Sequence, residues 1–220
     1  MGDFHPAVEE YLETIYELEE AGIVPMRARI VERLGVSAPS VSETVKRLER
    51  EGYLTLDASS RAMVLTESGR KYATDMVRRH RLAERLLVDV LHVPWHQVHE
   101  EACRLEHAIS DNLERHLVAL LGDPGTCPHG NPIPGSAHSA PLPPSVALAA
   151  CAPGVATRVN RIDEQLEADP EGLLLVERSG LLPGATVTVG DHAGGAVSVI
   201  TAAGEAAVPD TVAAFVYVLA

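Results

Sequence analysis

The sequence predicts a mainly helical chain with small β parts: a winged helix-turn-helix, then a helical region, then a small all-β domain. Three observations predict this. Two short helical segments flank a glycine turn and run into a hairpin pattern. Two long segments then carry apolar stripes at helical spacing. Short β-type runs separated by Gly, Pro and Asp turns fill residues 155–220.

Element by element, Val8, Tyr11, Leu12, Ile15, Tyr16 and Leu18 recur at helical spacing over 6–21, with Pro6 suited to the first turn and Gly22 to the stop. A short helix at 27–34 ends at Gly35. In the stretch SAPSVSETVKRLEREGYL, Ser37 is a good N-cap and Pro39 is tolerated in a first turn. Val41, Val45 and Leu48 form the buried stripe, and Gly52 closes the helix. Two short helices around a glycine turn make a helix-turn-helix. YLTL and MVLT flank DASSRA, which reads as a small hairpin, the wing. Long helices follow at about 67–92, with Thr66 as cap, and at about 95–121, ending at Gly122. Residues 123–154 are rich in Pro, Ala, Gly and Ser and read as a linker. VATRVNRI, TVTVG, AVSVI and AFVYVL read as strands.

The net charge of −13 argues against a chain that binds nucleic acid through bulk charge. The charge is uneven, however. Residues 1–20 carry seven acids and no Lys or Arg, whereas residues 27–71 carry nine Lys/Arg against six Asp/Glu. Three cysteines, an odd number without a CxxC pair, argue against a disulfide framework. With no leader pattern and no long apolar run, a reducing cytoplasm and no membrane are expected.

The chemistry concentrates in HEEACRLEH, residues 99–107. On a helix, His99, Cys103, Glu106 and His107 fall within one arc of about 100°. Imidazole, thiolate and carboxylate are the ligand set of divalent first-row metals. His80 and Glu84 sit one turn apart on the preceding helix, and Glu10 and Glu13 three apart on the first. Taken singly, each of these residues reads better as part of a solvated helix face; four on one face point to a metal. Enzyme motifs fail. Cys103 stands where HExxH needs its second histidine, and no nucleophile elbow, P-loop or dinucleotide fingerprint is present.

The stretches YLETIYELEE (11–20), RARIVERLGVS (27–37), RRHRLAERLL (78–87), VHEEACRLEH (98–107) and GNPIPG (130–135) resemble the diphtheria-toxin-repressor family of metal-dependent repressors. The resemblance implies a winged-helix DNA-binding domain at 1–74, a helical metal-binding and dimerisation domain at 75–135, a Pro/Ala-rich linker at 136–154 and an SH3-like β domain at 155–220. It implies a homodimer on double-stranded operator DNA, with one or two dimers per operator left open. It also implies two metal ions per subunit. The family's regulatory site matches Glu10, Cys103, Glu106 and His107, and its ancillary site matches His80, Glu84 and His99. Glu164 and Glu167 stand where the iron branch has an acidic residue and a glutamine. Iron-dependent members carry methionine in place of Glu10; manganese-dependent members carry a carboxylate there but usually replace the cysteine. The hybrid implies an Mn²⁺-activated repressor, with an Fe²⁺-dependent one as the first alternative and a regulator with a purely structural metal as the second. For DNA contact, Ser37, Pro39, Ser40 and Glu43 begin the recognition helix. Ser40, Ser42, Arg47, Arg50, Arg27 and Arg29 are phosphate candidates, and Arg61 in the wing is a minor-groove candidate.

Overall fold

The computed structural model describes residues 8–220, so Pro6 lies outside the described residues. Contacts divide the chain into two compact units, Met1–Arg78 and Arg79–Ala220.

The first unit holds α1 (Val8–Glu20), α2 (Arg27–Leu34), α3 (Ala38–Arg50), strands β1 (Leu54–Leu56) and β2 (Met63–Leu65), and the start of α4 (Glu67–Arg85). Gly35 ends α2 in the left-handed region, and the Ser37 hydroxyl caps α3 by accepting from Ser40 N–H. Tyr11, Leu12, Ile15, Leu18, Ile30, Val41, Val45 and Leu48 close over β1 and β2 as one buried cluster. The hairpin is antiparallel, with Leu54 opposite Leu65 and Leu56 opposite Met63. Thr66 caps α4, accepting from Gly69 N–H. Gly69 is required there, because a Cβ would lie 1.8 Å from the Tyr53 carbonyl oxygen.

The second unit departs from the expected pair of long helices. α4 stops at Arg85 and widens into a π-helical turn over Leu86–Val90. The segment expected as one helix at 95–121 is a 3₁₀ turn (Trp95–Gln97), α5 (Val98–Leu105), a second 3₁₀ turn (Glu106–Ala108) and α6 (Asp111–Leu121). The break has a local cause. Ile109 is extended, and Ser110 caps a fresh helix by accepting from Leu113 N–H, with Asp111 in its first turn.

Residues 123–135 form packed turns. Cys127 N–H donates to the Asn131 carbonyl, Ile133 N–H donates to the Gly125 carbonyl, and Thr126 bridges Pro132. These bonds satisfy the backbone, so Cys127, His129, Asn131 and Ile133 can be buried. Gly130 (φ +91°) seats this loop on the next strand, where a Cβ would lie 2.4 Å from the Asn160 carbonyl oxygen.

A six-stranded antiparallel sheet follows, in the order β3-β8-β4-β5-β6-β7. Its strands are β3 (Ser145–Ala147), β4 (Ala156–Ile162), β5 (Thr186–Ala193), β6 (Ala196–Thr201), β7 (Gly204–Pro209) and β8 (Val216–Leu219). Val187, Val189, Val197, Val199, Val216 and Val218 alternate inward and make its core. The region is not purely β. α7 (Glu164–Glu167), α8 (Pro170–Arg178) and α9 (Asp210–Ala213) are helical, and each of the first two is started by an Asp side chain, Asp163 and Asp169.

Candidate metal centre

Within the second unit, four segments bring donor side chains together. α4 supplies His80 and Glu84, one turn apart. α5 and its 3₁₀ extension supply His99, Cys103, Glu106 and His107. α7 supplies Glu164 and Glu167, its first and last residues. The packed loop adds Cys127 and His129. Three groups have their donor atoms within 4.8 Å of one another: His80, His99 and Cys103; His80, His99, Glu164 and Glu167; and Glu84, Cys127 and His129.

The contacts interlock. His80 Nδ1 lies 2.6 Å from Glu106 Oε2, and its Nε2 is 3.4 Å from Glu84 Oε1. Cys103 Sγ is 3.6 Å from His99 Nε2. His99 Nδ1 lies 3.4 Å from Glu167 Oε2, and His129 Nδ1 lies 3.0 Å from both that oxygen and Glu84 Oε1. Asn131 Nδ2 donates to Glu167 Oε1 at 2.8 Å. Glu164 Oε1 accepts from Arg81 Nη2 at 2.7 Å and from its Nε at 3.2 Å, so one of its oxygens is already neutralised by a buried guanidinium. Trp95 packs edge-on to His129, with ring centroids 4.6 Å apart, and its indole N–H donates to the Pro128 carbonyl. His107 is exposed, 3.4 Å from Glu106 Oε1.

Electrostatics follow from this crowding. Burial disfavours the imidazolium of His80, yet Cys103, Glu106 and Glu84 hold its pKa well above the usual value. His99 and His129 are raised in the same way, His129 by the charges of Glu167 and Glu84. Burial pushes the Cys103 thiol up, but His80 and His99 overcome it and bring the pKa down to about 7. Cys127 is pushed up to about 12 by burial and by Glu84.

The residues fit a divalent cation. Glu84 is fully buried, and among the described residues neither of its carboxylate oxygens has a hydrogen-bond partner. His80 Nε2, His99 Nδ1, both ring nitrogens of His129, Glu164 Oε2 and Glu167 Oε2 are in the same condition. The imidazoles approach the carboxylates closely, but not in hydrogen-bond geometry. Buried polar atoms without partners are costly, and their concentration at one place calls for a missing partner. N, S and O donors together are the set of a transition-metal ion.

Two further candidate donors carry no helical pattern in the sequence. Cys127 and His129 lie in the stretch taken for a linker, although Cys-Pro-His-Gly places a thiol and an imidazole two residues apart on a turn. That spacing was the available signal. Glu10 lies on α1 in the first unit, half-buried.

The DNA-contact candidates all belong to the first unit. Ser37, Pro39, Glu43, Arg47, Arg50, Arg61 and Arg29 are exposed; Arg27, Ser40 and Ser42 are half-buried. Arg47 pairs with Glu51 at 2.8 Å and Arg29 with Glu32 at 2.7 Å. Among the described residues, no helix is long and apolar enough to cross a membrane.

Residues 3–60 match the model of the N-terminal DNA-binding domain of iron-dependent repressors, and residues 66–135 match that of their metal-binding and dimerisation domain. The iron-dependent repressor IdeR of Mycobacterium tuberculosis is 45% identical over 91% of this chain and 90% of its own length. The chain belongs to the diphtheria-toxin-repressor family. The diphtheria toxin repressor of Corynebacterium diphtheriae itself is 54% identical over 61% of the chain and 59% of that repressor. A manganese-dependent transcriptional repressor in complex with manganese matches with a TM-score of 0.85 and 34% identity, covering 97% of this chain and 100% of the other. As a family member the chain is a metal-dependent transcriptional repressor with DNA-binding and dimerisation domains, not an enzyme. Relatives named for iron and for manganese both occur.

Proposed function

We propose that this repressor is activated by Mn²⁺, with two ions per subunit, and then binds a palindromic operator as a dimer in the cytoplasm to control metal homeostasis. The single observation that carries the metal reading is Glu84, whose two buried carboxylate oxygens lack hydrogen-bond partners amid three imidazoles. In this reading His80, Glu84, His99, Glu164 and Glu167 hold one ion, with Cys127 and His129 packed against Glu84 as further donors. Cys103, Glu106 and His107 serve the regulatory ion. The place of Glu10 in that second set rests on the family resemblance alone. A bound dication supplies the positive charge that these carboxylates otherwise draw from protonated histidines. His80 contacts both Glu84 and Glu106, so it ties the two sets together.

Mn²⁺ is favoured by Glu10, a hard carboxylate where iron-dependent members have a thioether. A second reading, Fe²⁺, is favoured by the thiols of Cys103 and Cys127, which are softer donors than manganese sites prefer. DNA recognition falls to α3, read from Ser37, Pro39 and Glu43. Arg27, Arg29, Arg47, Arg50 and the hydroxyls of Ser40 and Ser42 engage phosphates, and Arg61 reaches from the wing.

Selection of duplexes from a random pool by purified protein, under anaerobic conditions, tests this with Mn²⁺, Fe²⁺ or chelator. Recovery of a common palindrome with Mn²⁺ at lower free concentration than Fe²⁺ is expected. The reverse order establishes the iron reading. Equal recovery in chelator means that the metal is structural.

A further inference from the structure

The wing contains a residue whose role is not explained by packing. The loop between β1 and β2 is held by Asp57, whose Oδ1 alone accepts from Ser59 N–H (3.0 Å), Ser59 Oγ (2.7 Å), Ser60 N–H (2.7 Å) and Ser60 Oγ (2.8 Å). Asp57 N–H donates to the Ala62 carbonyl, and Arg61 N–H donates back to the Asp57 carbonyl, both at 2.9 Å. The Ser60 hydroxyl also accepts from Ala62 N–H. Everything in this loop is exposed up to Arg61, so the network covers no core.

What the network does is fix Arg61. Arg61 has φ +62°, a left-handed conformation that residues with a Cβ rarely adopt and that normally falls to Gly or Asn. Strain of this kind persists only where surrounding bonds over-determine it, and it gathers at functional positions. The hairpin's one carboxylate, four residues away, does not neutralise the arginine. It is turned onto the two serines, and Arg61 makes no ion pair among the described residues. The Ser60 and Ser59 donors hold the Asp57 carboxyl well below the usual carboxylate range, so it accepts these bonds throughout the neutral range.

We propose that Asp57 is a positioning residue for DNA binding: its carboxylate locks the wing so that the left-handed Arg61 presents an unpaired guanidinium to the DNA minor groove and its flanking phosphates. Asp57 itself does not touch DNA. It acts as an acceptor, not as a charge, since a carboxylate beside phosphates would otherwise weaken binding. The proposal rests on the reading of the first unit as the operator-binding surface and of Arg61 as one of its contacts.

The test uses full-length Mn²⁺-loaded protein and a labelled duplex recovered from a random pool by the wild type. Asp57→Ala and Arg61→Ala are each expected to weaken binding about tenfold and to make the salt dependence of log K shallower by about one unit. The double variant should be no weaker than either single one. Asp57→Asn keeps an acceptor oxygen and should restore binding to within about twofold, with the salt slope recovered. Arg61→Gly relieves the left-handed strain, so its thermal midpoint should not fall although its binding falls as in Arg61→Ala. Full binding by Asp57→Ala beside a weakened Arg61→Ala overturns the proposal and leaves the Arg61 contact standing. Full binding by Arg61→Ala removes the contact itself, and the proposal with it. Additive losses in the double variant, or failure of Asp57→Asn to recover the slope, also overturn it.

Discussion

Replacing His129 by alanine tests the charge balance of the metal centre without any metal. His129 is fully buried, and its Nδ1 sits 3.0 Å from oxygens of Glu84 and Glu167, both of which are themselves buried. Removing one partner of a buried ion pair costs about 3–5 kcal/mol because it strands the other charge. The lost edge contact with Trp95 adds about 0.5–1.5 kcal/mol, part of it already counted in that figure. With a urea slope of about 2 kcal/mol per molar, the transition of the second unit should move down by roughly 2 M in chelator. The loss should depend on pH. Burial tends to raise the carboxyl pKa values, but His129 holds Glu84 well below its usual value and Glu167 below it too. Depressed carboxylates stabilise the fold above their unfolded pKa and lose that contribution as pH falls through the folded value. The gap between wild type and His129→Ala should therefore be full at neutral pH and close as pH drops below the unfolded carboxylate range. Trp95 is the chain's single tryptophan, so its fluorescence follows both unfolding and events at His129. In the wild type, Mn²⁺ should change that emission; in His129→Ala it should not. Equal urea midpoints in chelator at pH 7 would refute the view that His129 neutralises the carboxylates.

Three further outcomes are expected. Metal affinity should rise with pH through neutrality, because His80, His99 and His129 are held protonated by raised pKa values and must release those protons to bind a cation; calorimetry in buffers of different ionisation enthalpy should show more than about one proton released per ion, and pH-independent affinity would contradict the assignment. At pH 7.5 the Cys103 thiol, with a pKa of about 7, should be alkylated faster than the buried Cys127, at about 12, and Mn²⁺ should slow the Cys103 reaction; peptide mapping by mass spectrometry reads both. Gly69→Ala should destabilise the first unit by about 3 kcal/mol, since the added Cβ meets the Tyr53 carbonyl oxygen at 1.8 Å, and an unchanged melting midpoint would show that the α4 start can shift.

The metal centre shows how several buried charges can share one small volume. Three imidazoles raised toward their charged forms face the carboxylates of Glu84, Glu106 and Glu167, and Arg81 answers Glu164. Protons on the three imidazoles can answer these carboxylates. They do so poorly, because the close approaches do not become hydrogen bonds at Glu84. On the proposed reading a dication replaces the protons at the same place, and that exchange couples metal binding to pH.

The winged helix was legible because each of its elements is short, capped and locally specified. Ser37 and Thr66 cap the helices they were expected to cap, and the hairpin pairs Leu54 with Leu65 as its alternation requires. The spacing of the candidate donors was legible for the same reason: His80 with Glu84, and His99 with Cys103, stand one turn apart on α4 and α5. Periodicity carried too far where it met a cap. Ile109 and Ser110 interrupt the stripe read as one helix, and Glu106 and His107 sit in a 3₁₀ turn, not on the continuous α-helical arc that selected them. Cys127 and His129 were invisible to periodicity altogether, because a turn has none. Their segment reads as a linker by composition, yet its prolines and glycines set the turns that satisfy the backbone internally. Once the backbone is satisfied, a Pro/Gly-rich stretch can enter a core as readily as a strand. A thiol and an imidazole two residues apart within it are then better read as donors on a rigid loop than as solvent-facing spacers.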